Sequence, residues 1–309
     1  CIRLYLFNLS DGACITINVN PCVCQNALFC HAQFIRVELF VYCKETEIYR
    51  MLSHSRVKFL RSLQTKKHRD QEKAFLVEGE KLVNEILLPD NNSNYYATEV
   101  FGLESWEEAN QDWIRSKTVT FTRINSKQLN QISSQTSPNK VIALVKQNTT
   151  NITASPGYDG LILAFDKLQD PGNLGTIIRL ADWFGVSRIV LSKDSVDHLN
   201  SKVIQASMGS FFRIPVIKCE LLNWLKSKPK DLKVFGAILD APSLYTTELN
   251  KDGVILLGNE SSGIREEIMP LLTQAISIPK YSIYPPGPES LNVGTATGII
   301  LSEFKRRLA

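Results

Sequence analysis

Short apolar runs recur through the second half of the chain and predict a buried parallel sheet. Five of them contain almost no polar residues: LILAF, RIVLS, LKVFGAIL, GVILLG and AISI. Segments with helical character separate these runs, and strands that are covered on both faces of a parallel sheet have this pattern. We therefore predict a doubly covered α/β domain over residues 158–309.

Between residues 51 and 146 the pattern changes to shorter strands that alternate with amphipathic helices. Strands are predicted at AFLVEG, YYATEVFG, TVTFTRI and KVIALVK. Helices are predicted at EKLVNEILL, which Pro89 ends, at SWEEANQDWIRSK, which Ser105 caps, and after Ser126. This alternation predicts a small α/β domain, and the polar, turn-forming segment 147–157 that follows it is a predicted linker.

The first 50 residues differ from the rest of the chain. Six of the seven cysteines lie in the first 43 residues, and no methionine precedes Met51. One interpretation is a zinc site in PCVCQNALFCH, whose C-x-C and adjacent Cys30 and His31 miss the usual ligand spacings. A secretory signal would need a charged start, a longer apolar core and a cleavage site. The sequence favours a third interpretation, in which Met51 is the biological start and residues 1–50 are an upstream translation or poorly structured extension outside the native fold.

The overall composition is that of a globular protein. The chain has 309 residues, of which 44% are apolar and 21% charged, and its length suits two domains. No apolar run approaches the ~20 residues that a membrane-spanning helix needs, so we expect no membrane association. Cys219 is the single cysteine beyond residue 43, which suits the cytoplasmic location that we expect. We expect no metal site.

A run of basic residues follows Met51. The formal charge of the chain is only +4, so the clustering of charges is more informative than their sum. Between Arg56 and Lys73 there are seven lysines and arginines against Asp70 and Glu72. A solvated amphipathic helix explains such a run, and so does a surface that follows RNA or DNA phosphates. The candidates for nucleic-acid contact are Arg56, Lys58, Lys66, Lys67 and Arg69.

Three loops at predicted strand ends combine glycine with polar residues. In open parallel sheets, ligands bind where loops leave the carboxyl ends of the strands. The first loop follows LILAF and reads DPGNLG before a helix that carries Arg179. Its glycines allow a close backbone approach, and a helix N-terminus attracts anions. A plain strand-to-helix turn with a surface arginine is the alternative interpretation.

The second loop, in LLGNESSGI, only superficially resembles a phosphate-binding loop. Gly258 and Gly263 have the required spacing, but Ile264 and Arg265 replace the lysine and hydroxyl residue, which disfavours triphosphate binding. The acidic Glu260 suits a positively charged or hydroxyl-bearing group. Alternatively, Glu260 stabilises the start of a helix predicted at 265–273.

The third loop lies between a strand that ends at Pro279 and a C-terminal helix. Ser290, Leu291 and Asn292 precede a helix start rich in small residues, in the sequence NVGTATG. Glycine lowers helix propensity, so its use here suggests a close approach of backbone or ligand rather than a merely structural helix.

Together the three segments PGNLGTIIR, LLGNESSGI and IP…SLNVGTATGIILSEF resemble the three motifs of the SpoU/TrmH-type branch of the SPOUT RNA methyltransferases. The domain before them resembles the small ribosomal-protein-like RNA-binding domain of many family members. The resemblance implies a homodimer, a C-terminal trefoil knot, and methyl transfer from S-adenosylmethionine to a ribose 2′-hydroxyl in structured RNA. Ribosomal RNA is favoured over transfer RNA. A non-catalytic RNA-binding or ribosome-assembly protein and a base-nitrogen methyltransferase are the alternatives.

The resemblance also implies which residues form the site. The catalytic set would be Asn173, Arg179, Glu260, Ser290 and Asn292. The methyl donor would lie against Gly258, Ile278, Leu291, Asp240 and Ala241. A guanidinium stays protonated in proteins, so we expect Arg179 to anchor phosphate and the developing oxyanion rather than to act as a base. Glu260 and Asn292 would orient Arg179 and the ribose.

Two positions depart from the family pattern. The loop KYSIYPPGPE between Pro279 and Ser290 has ten residues, which is longer than the usual connection and bears on the lid of the donor pocket. Gly294 stands where small or hydroxyl residues are more usual.

Overall fold

The computed structural model describes residues 2–5, 14–19, 41–42, 52–88, 94–116, 119–148, 157–282 and 289–307. The chain forms two compact units, residues 1–50 and 51–309. In the first unit β1 (Ile2–Tyr5), β2 (Cys14–Val19) and β3 (Val41–Tyr42) form an antiparallel sheet in that order. The interpretation of residues 1–50 as an extension outside the native fold stays a prediction. The candidate zinc ligands between residues 22 and 31 lie outside the described residues.

The second unit begins with a four-stranded mixed sheet in residues 52–148, which we call the N-terminal lobe. Its strands are β4 (Ala74–Glu78), β5 (Tyr95–Gly102), β6 (Thr120–Arg123) and β7 (Val141–Gln147), in the order β4-β7-β5-β6. Its helices are α1 (His54–Ser62), α2 (Lys66–Glu72), α3 (Glu80–Ile86), α4 (Glu104–Ala109), α5 (Gln111–Ser116) and α6 (Ser126–Ile132). All four strands lie within or near the predicted runs.

Two predicted helix starts are wrong by one or two residues. Asn125, not Ser126, caps α6, since its side chain accepts from the Gln128 N–H while the Gln128 side chain accepts from the Asn125 N–H. The helix predicted from Ser105 starts one residue earlier and is divided at Asn110 into α4 and α5.

Residues 157–307, which we call the C-terminal lobe, contain a six-stranded sheet. Its strands are β8 (Leu161–Phe165), β9 (Arg188–Ser192), β10 (Val216–Cys219), β11 (Val234–Ala237), β12 (Gly253–Leu257) and β13 (Gln274–Ile276). They are all parallel, in the order β10-β9-β8-β12-β11-β13. The predicted parallel α/β architecture is confirmed.

Helices cover both faces of this sheet, which explains the unbroken apolar runs. They are α7 (Pro171–Trp183), α8 (Ser201–Ser207), α9 (Leu221–Lys226) and α10 (Val293–Arg306). Along β8 the side chains of Leu161, Leu163 and Phe165 join the core with α7, α8 and α10, while Ile162 and Ala164 join the core with α9. Each of the leucine, isoleucine and phenylalanine side chains contributes about 1.5–3 kcal/mol when fully buried.

The helix predicted at 265–273 is not formed. Only a 3₁₀ turn at Met269–Leu271 occurs there, because Pro270 lacks an N–H and its ring clashes with a preceding turn of α-helix. Glu260 therefore does not stand in front of an α-helix, and its helix-stabilising interpretation fails.

Within the described ranges, no helix is both long and apolar enough to cross a bilayer. The same ranges contain no group of three or more His, Cys, Asp or Glu side chains arranged to hold a metal ion.

Candidate active site

Four neighbouring strands end at one edge of the C-terminal lobe. The central pair, β8 and β12, runs in register from Leu161 opposite Gly253 to Phe165 opposite Leu257. The loops after these strands therefore begin side by side, and the loops after β11 and β13 leave the same edge because all these strands are parallel. All ten predicted catalytic and donor-binding residues lie on these loops or on the helices that follow them.

Asn173 joins the three predicted motifs. Its side-chain nitrogen donates to Glu260 Oε1 over 3.1 Å, and its side-chain oxygen accepts from Asn292 Nδ2 over 2.9 Å. Glu260 lies 87 residues and Asn292 119 residues further along the chain. Three of the five predicted catalytic residues are thus in contact, and the carboxylate, which only accepts, determines which way the Asn173 amide faces.

Helix caps hold two of these residues in place. Asp170 caps α7 by accepting from the Asn173 N–H over 2.7 Å. Asn292 caps α10, since its Oδ1 accepts from the N–H groups of Gly294 and Thr295 over 3.0 and 3.3 Å. A side chain at Gly294 would crowd this cap, because its Cβ would lie 3.2 Å from Asn292 Oδ1. The packing at the cap therefore provides a structural reason for a glycine at position 294.

The Glu260 loop is a closed turn. Asn259 and Gly263 exchange backbone hydrogen bonds of 2.9 and 3.0 Å, and Asn259 Oδ1 accepts from the N–H groups of Ser261 and Ser262. A Cβ on Gly258 would lie 2.1 Å from the carbonyl carbon of Gly263, so the turn closes only with glycine there. The predicted donor contact of Gly258 stays a prediction.

An ion pair between a buried carboxylate and a partly exposed arginine joins the end of β8 to the end of this loop. Asp166 directly follows β8, is 0% exposed, and accepts from Arg265 N over 3.0 Å and from Arg265 Nε over 2.9 Å. The hydrogen bond to Asp166 raises the pKa of Arg265, so the guanidinium stays charged. The sequence motifs alone do not single out Asp166, Asn259 or Arg265 as site residues. The sequence signal that could have indicated this pair is an acidic residue directly after one buried strand and an arginine directly after the loop that follows the neighbouring strand.

Arg179 does not join the Asn173 cluster. It lies six residues further along α7, about 9 Å along the axis and about 120° around it. It lines an open groove of about 450 Å³ with Lys81, Trp183 and Arg213, and it has no hydrogen bond or ion pair to any residue that the structure describes. Ser290 is also exposed and has no hydrogen-bond partner within the described ranges.

The predicted donor-binding residues lie at the ends of three adjacent strands. Asp240 and Ala241 follow β11, and Asp240 has a left-handed backbone with φ of 59°. Ser277 donates from Oγ to the Ala241 carbonyl over 2.6 Å, which joins this loop to the segment that carries Ile278. Leu291 is 47% exposed beside Asn292.

The predicted RNA-contacting residues separate into two groups. Lys58, Lys66 and Lys67 are exposed, whereas Arg56 forms an ion pair with Glu99 and lies 4.9 Å above the Phe59 ring. The prediction for Arg69 is wrong: its side chain is buried, because its guanidinium donates to Asp197 and to the carbonyls of Leu63 and Gln64.

Two family models match the chain. One, described as the SpoU rRNA Methylase family, matches residues 160–302. The other, described as an MRM3-like substrate binding domain, matches residues 54–143. The first includes the Asn173, Glu260 and Asn292 cluster, and the second includes most of the N-terminal lobe.

Curated proteins and solved structures match over most of the chain. An uncharacterized tRNA/rRNA methyltransferase of Synechocystis sp. is 30% identical over 257 residues, covering 81% of this chain and 90% of that protein. The 23S rRNA (guanosine(2553)-2′-O)-methyltransferase RlmP of Bacillus subtilis is 28% identical over 259 residues, covering 82% and 96%. A putative RNA methyltransferase of the TrmH family from Porphyromonas gingivalis superposes with a TM-score of 0.72 at 34% identity, covering 83% and 99%. An AdoMet-bound rRNA methyltransferase from Sinorhizobium meliloti gives a TM-score of 0.69 at 29% identity, covering 82% and 95%.

Proposed function

The chain belongs to the SpoU rRNA methylase family, and from that premise we propose that it transfers a methyl group from S-adenosylmethionine to a ribose 2′-hydroxyl of ribosomal RNA. The observation that carries the proposal is the contact of Asn173 with both Glu260 and Asn292. Three separate loops bring these polar side chains to one sheet edge. Because the proposed substrate is ribosomal RNA, the cytoplasm is the proposed location of the protein.

The cluster suits a sugar hydroxyl as nucleophile. A ribose hydroxyl is a very weak acid, so the site has to align it and stabilise the developing oxyanion. Glu260 is held by Asn173 at Oε1 and lies 3.4 Å from Asn259 Nδ2 at Oε2, so its carboxylate has a fixed direction from which to accept a hydrogen bond from the sugar. Asn173 and Asn292 orient the ribose, with Ser290 at the rim, and Arg179 anchors a phosphate as a permanent cation.

The residues proposed for the methyl donor fit its chemistry. S-adenosylmethionine supplies a methyl group that its sulfonium already activates. The proposed contacts are the backbone at Gly258, Asp240 and Ala241 and the aliphatic side chains of Ile278 and Leu291. Leu239, at 65% exposure, adds apolar surface beside the same loop. These groups are suited to an adenine ring and a thioether chain. None of the five proposed residues carries a positive charge that would repel the sulfonium, and the carboxylate of Asp240 attracts it.

The proposed enzyme is a homodimer in which the exposed faces of α7 meet. Trp183 at the end of α7 is 85% exposed, and Arg179 lies one turn before it on the same face. A large aromatic side chain at such exposure is typical of protein interfaces. The proposal also includes the trefoil knot of the family in residues 158–309.

In the proposed enzyme residues 51–146 bind the RNA substrate and residues 147–157 link them to the methyltransferase domain. Lys58, Lys66 and Lys67 are exposed on α1 and α2, where they can neutralise phosphates. Ribosomal RNA is the preferred substrate and transfer RNA the alternative.

Methylation of RNA from a strain that lacks the gene tests this function. Purified protein with S-adenosylmethionine labelled in the methyl group is expected to label ribosomal RNA, and primer extension should place the label at one 2′-O-methyl stop. Asn173→Ala should remove the label, whereas Asn223→Ala, on the exposed side of α9, should leave it unchanged. Label found only in transfer RNA would mean that transfer RNA, and not ribosomal RNA, is the substrate. Wild-type protein that labels no stable RNA would refute the proposed activity.

A further inference from the structure

Three side-chain contacts join the two loops that present Asn173 and Glu260. At the base, Asp166 accepts from the backbone and side chain of Arg265. In the middle, Asn259 Nδ2 donates to the Lys167 carbonyl over 2.9 Å. At the tip, Asn173 donates to Glu260 over 3.1 Å. The base and middle contacts lie in the same two loops as the tip contact, which forms part of the proposed substrate site.

Asp166 is a costly residue to bury. A carboxylate removed from water loses several kcal/mol of solvation, and packing alone would be served as well by an apolar residue. Asp166 is completely buried, so it cannot touch a substrate, and its contacts are to neighbouring loops. The Asp166 backbone N–H also donates to the Leu257 carbonyl over 2.9 Å, so this residue is tied to β12 through its backbone and to the end of the loop after β12 through its side chain.

The backbone beside Asp166 is held in an unfavourable conformation. Lys167 has a φ of 57°, in the left-handed region that costs energy for a residue with a side chain. Its N–H donates to Ser192 Oγ over 2.8 Å, and its carbonyl accepts from Asn259. Contacts on both sides therefore fix the direction of this carbonyl, and with it the position of the Asn259 and Glu260 turn.

We propose that Asp166 is a positioning residue for the methyl-transfer site. By binding Arg265 it holds the end of the 258–264 turn, and this keeps the Glu260 carboxylate against Asn173. The inference rests on the proposed function, because the Glu260 position matters through the reaction that it serves.

A double-mutant cycle between Asp166 and Glu260 tests this coupling. Asp166→Asn is expected to lower kcat for methylation of unmodified ribosomal RNA by about 10- to 100-fold through displacement of the loop, with KM for RNA within about twofold of wild type. In a Glu260→Gln background the same substitution should lower kcat by less than about threefold further, because the group that Asp166 positions is already impaired. Full additivity of the two substitutions would overturn the proposal.

Two further variants separate positioning from folding. Asp159→Asn is the matched control, since Asp159 is also paired with an arginine, Arg188, but is 95% exposed before β8, at the opposite end of that strand; its kcat should equal that of wild type. If Asp166→Asn does not fold, Arg265→Lys replaces it in the cycle, because it keeps the backbone N–H and the charge but loses the Nε donor. Unchanged kcat in the folded variants with active wild-type enzyme refutes the positioning role alone. Inactive wild-type enzyme refutes the proposed function.

Discussion

Arg69 and Asp197 form an ion pair of 2.6 Å although 128 residues separate them in the chain. Arg69 lies on α2 in the N-terminal lobe, and Asp197 lies after β9 in the C-terminal lobe. Their side chains are only 6% and 12% exposed, and Arg69 also donates to the carbonyls of Leu63 and Gln64. This pair therefore fixes the helix that carries Lys66 and Lys67 against the C-terminal lobe.

The first prediction is a large stability loss when this pair is broken. Asp197→Ala should lower the free energy of unfolding by about 3–5 kcal/mol, because it leaves a buried guanidinium without its counter-ion. Urea denaturation at pH 7 measures the change. The exposed pair of Arg188 with Asp159 is the control, and Asp159→Ala should cost less than about 1 kcal/mol. Equal losses in the two variants would contradict the role of burial.

The second prediction concerns the pH dependence of stability and arises from His198, next to this pair. Burial lowers the pKa of His198 to about 4; Asp197 and Asp70 act against this shift, while Lys218 and Arg69 add to it. As the pH falls below the unfolded-state pKa of about 6.5, the unfolded chain takes up a proton that the folded protein excludes. The free energy of unfolding should have its full value above pH 6.5 and should fall by on the order of 3 kcal/mol towards pH 4.

Urea denaturation at several pH values between 4 and 7 tests this dependence. His198→Phe is the matched variant, because the imidazole already stacks on Phe211 at 6.3 Å and its buried Nδ1 has no hydrogen-bond partner among the described residues. This variant should flatten the curve. A curve that stays as steep in His198→Phe would assign the dependence to another group.

Much of the C-terminal sheet can be predicted from the sequence because its strands are covered on both faces. Leu161–Phe165 and Arg188–Ser192 coincide with apolar runs residue for residue. The edge strand Val216–Cys219 has no such run, since only Val216 is buried and Lys218 interrupts it. A charge pattern also does not distinguish the exposed Lys66 from the buried Arg69, because the burial of an arginine depends on a partner that is distant in the sequence.

The site can be predicted only in part for a similar reason. The parallel-sheet rule and the family motifs single out Asn173, Glu260 and Asn292, whose loops leave the same sheet edge. Their contacts, and the support from Asp166, depend on the strand order β8-β12, which the sequence does not contain as a local signal. Arg179 is predicted for this cluster, and its helical position directs it to a different groove.

The third prediction tests the exposed lysines of α2 as phosphate contacts. Replacing both Lys66 and Lys67 by alanine should raise KM for ribosomal RNA and leave kcat at saturating RNA unchanged. A plot of log affinity against log salt should become shallower by about one for each lysine lost, because fewer counterions are released. Lys226→Ala with Lys230→Ala is the control, since both lysines are exposed near the start of β11, at the opposite edge of the sheet. An equal change in the control slope would remove the case for a localised RNA surface.

The fourth prediction follows from the separation of Arg179 and Asn173 within one subunit. In a symmetric dimer that meets through α7, we expect Arg179 of one subunit to complete the site formed by Asn173, Glu260 and Asn292 of the other. Asn173→Ala and Arg179→Ala homodimers should then both be inactive. After unfolding, mixing and refolding, half of the dimers carry one subunit of each kind, and one of their two sites is intact. Methyl transfer should therefore return to about a quarter of the wild-type rate.

A control variant shows whether this recovery depends on the dimer. Trp183→Glu places a charge on the same exposed face, so it should give monomers in sedimentation velocity, and adding it to both subunits should abolish the recovery. Absence of recovery from dimers that exchange subunits normally would mean that Arg179 acts within its own subunit. The side chain would then have to turn from its groove towards Asn173, a movement that the exposed position of Arg179 permits.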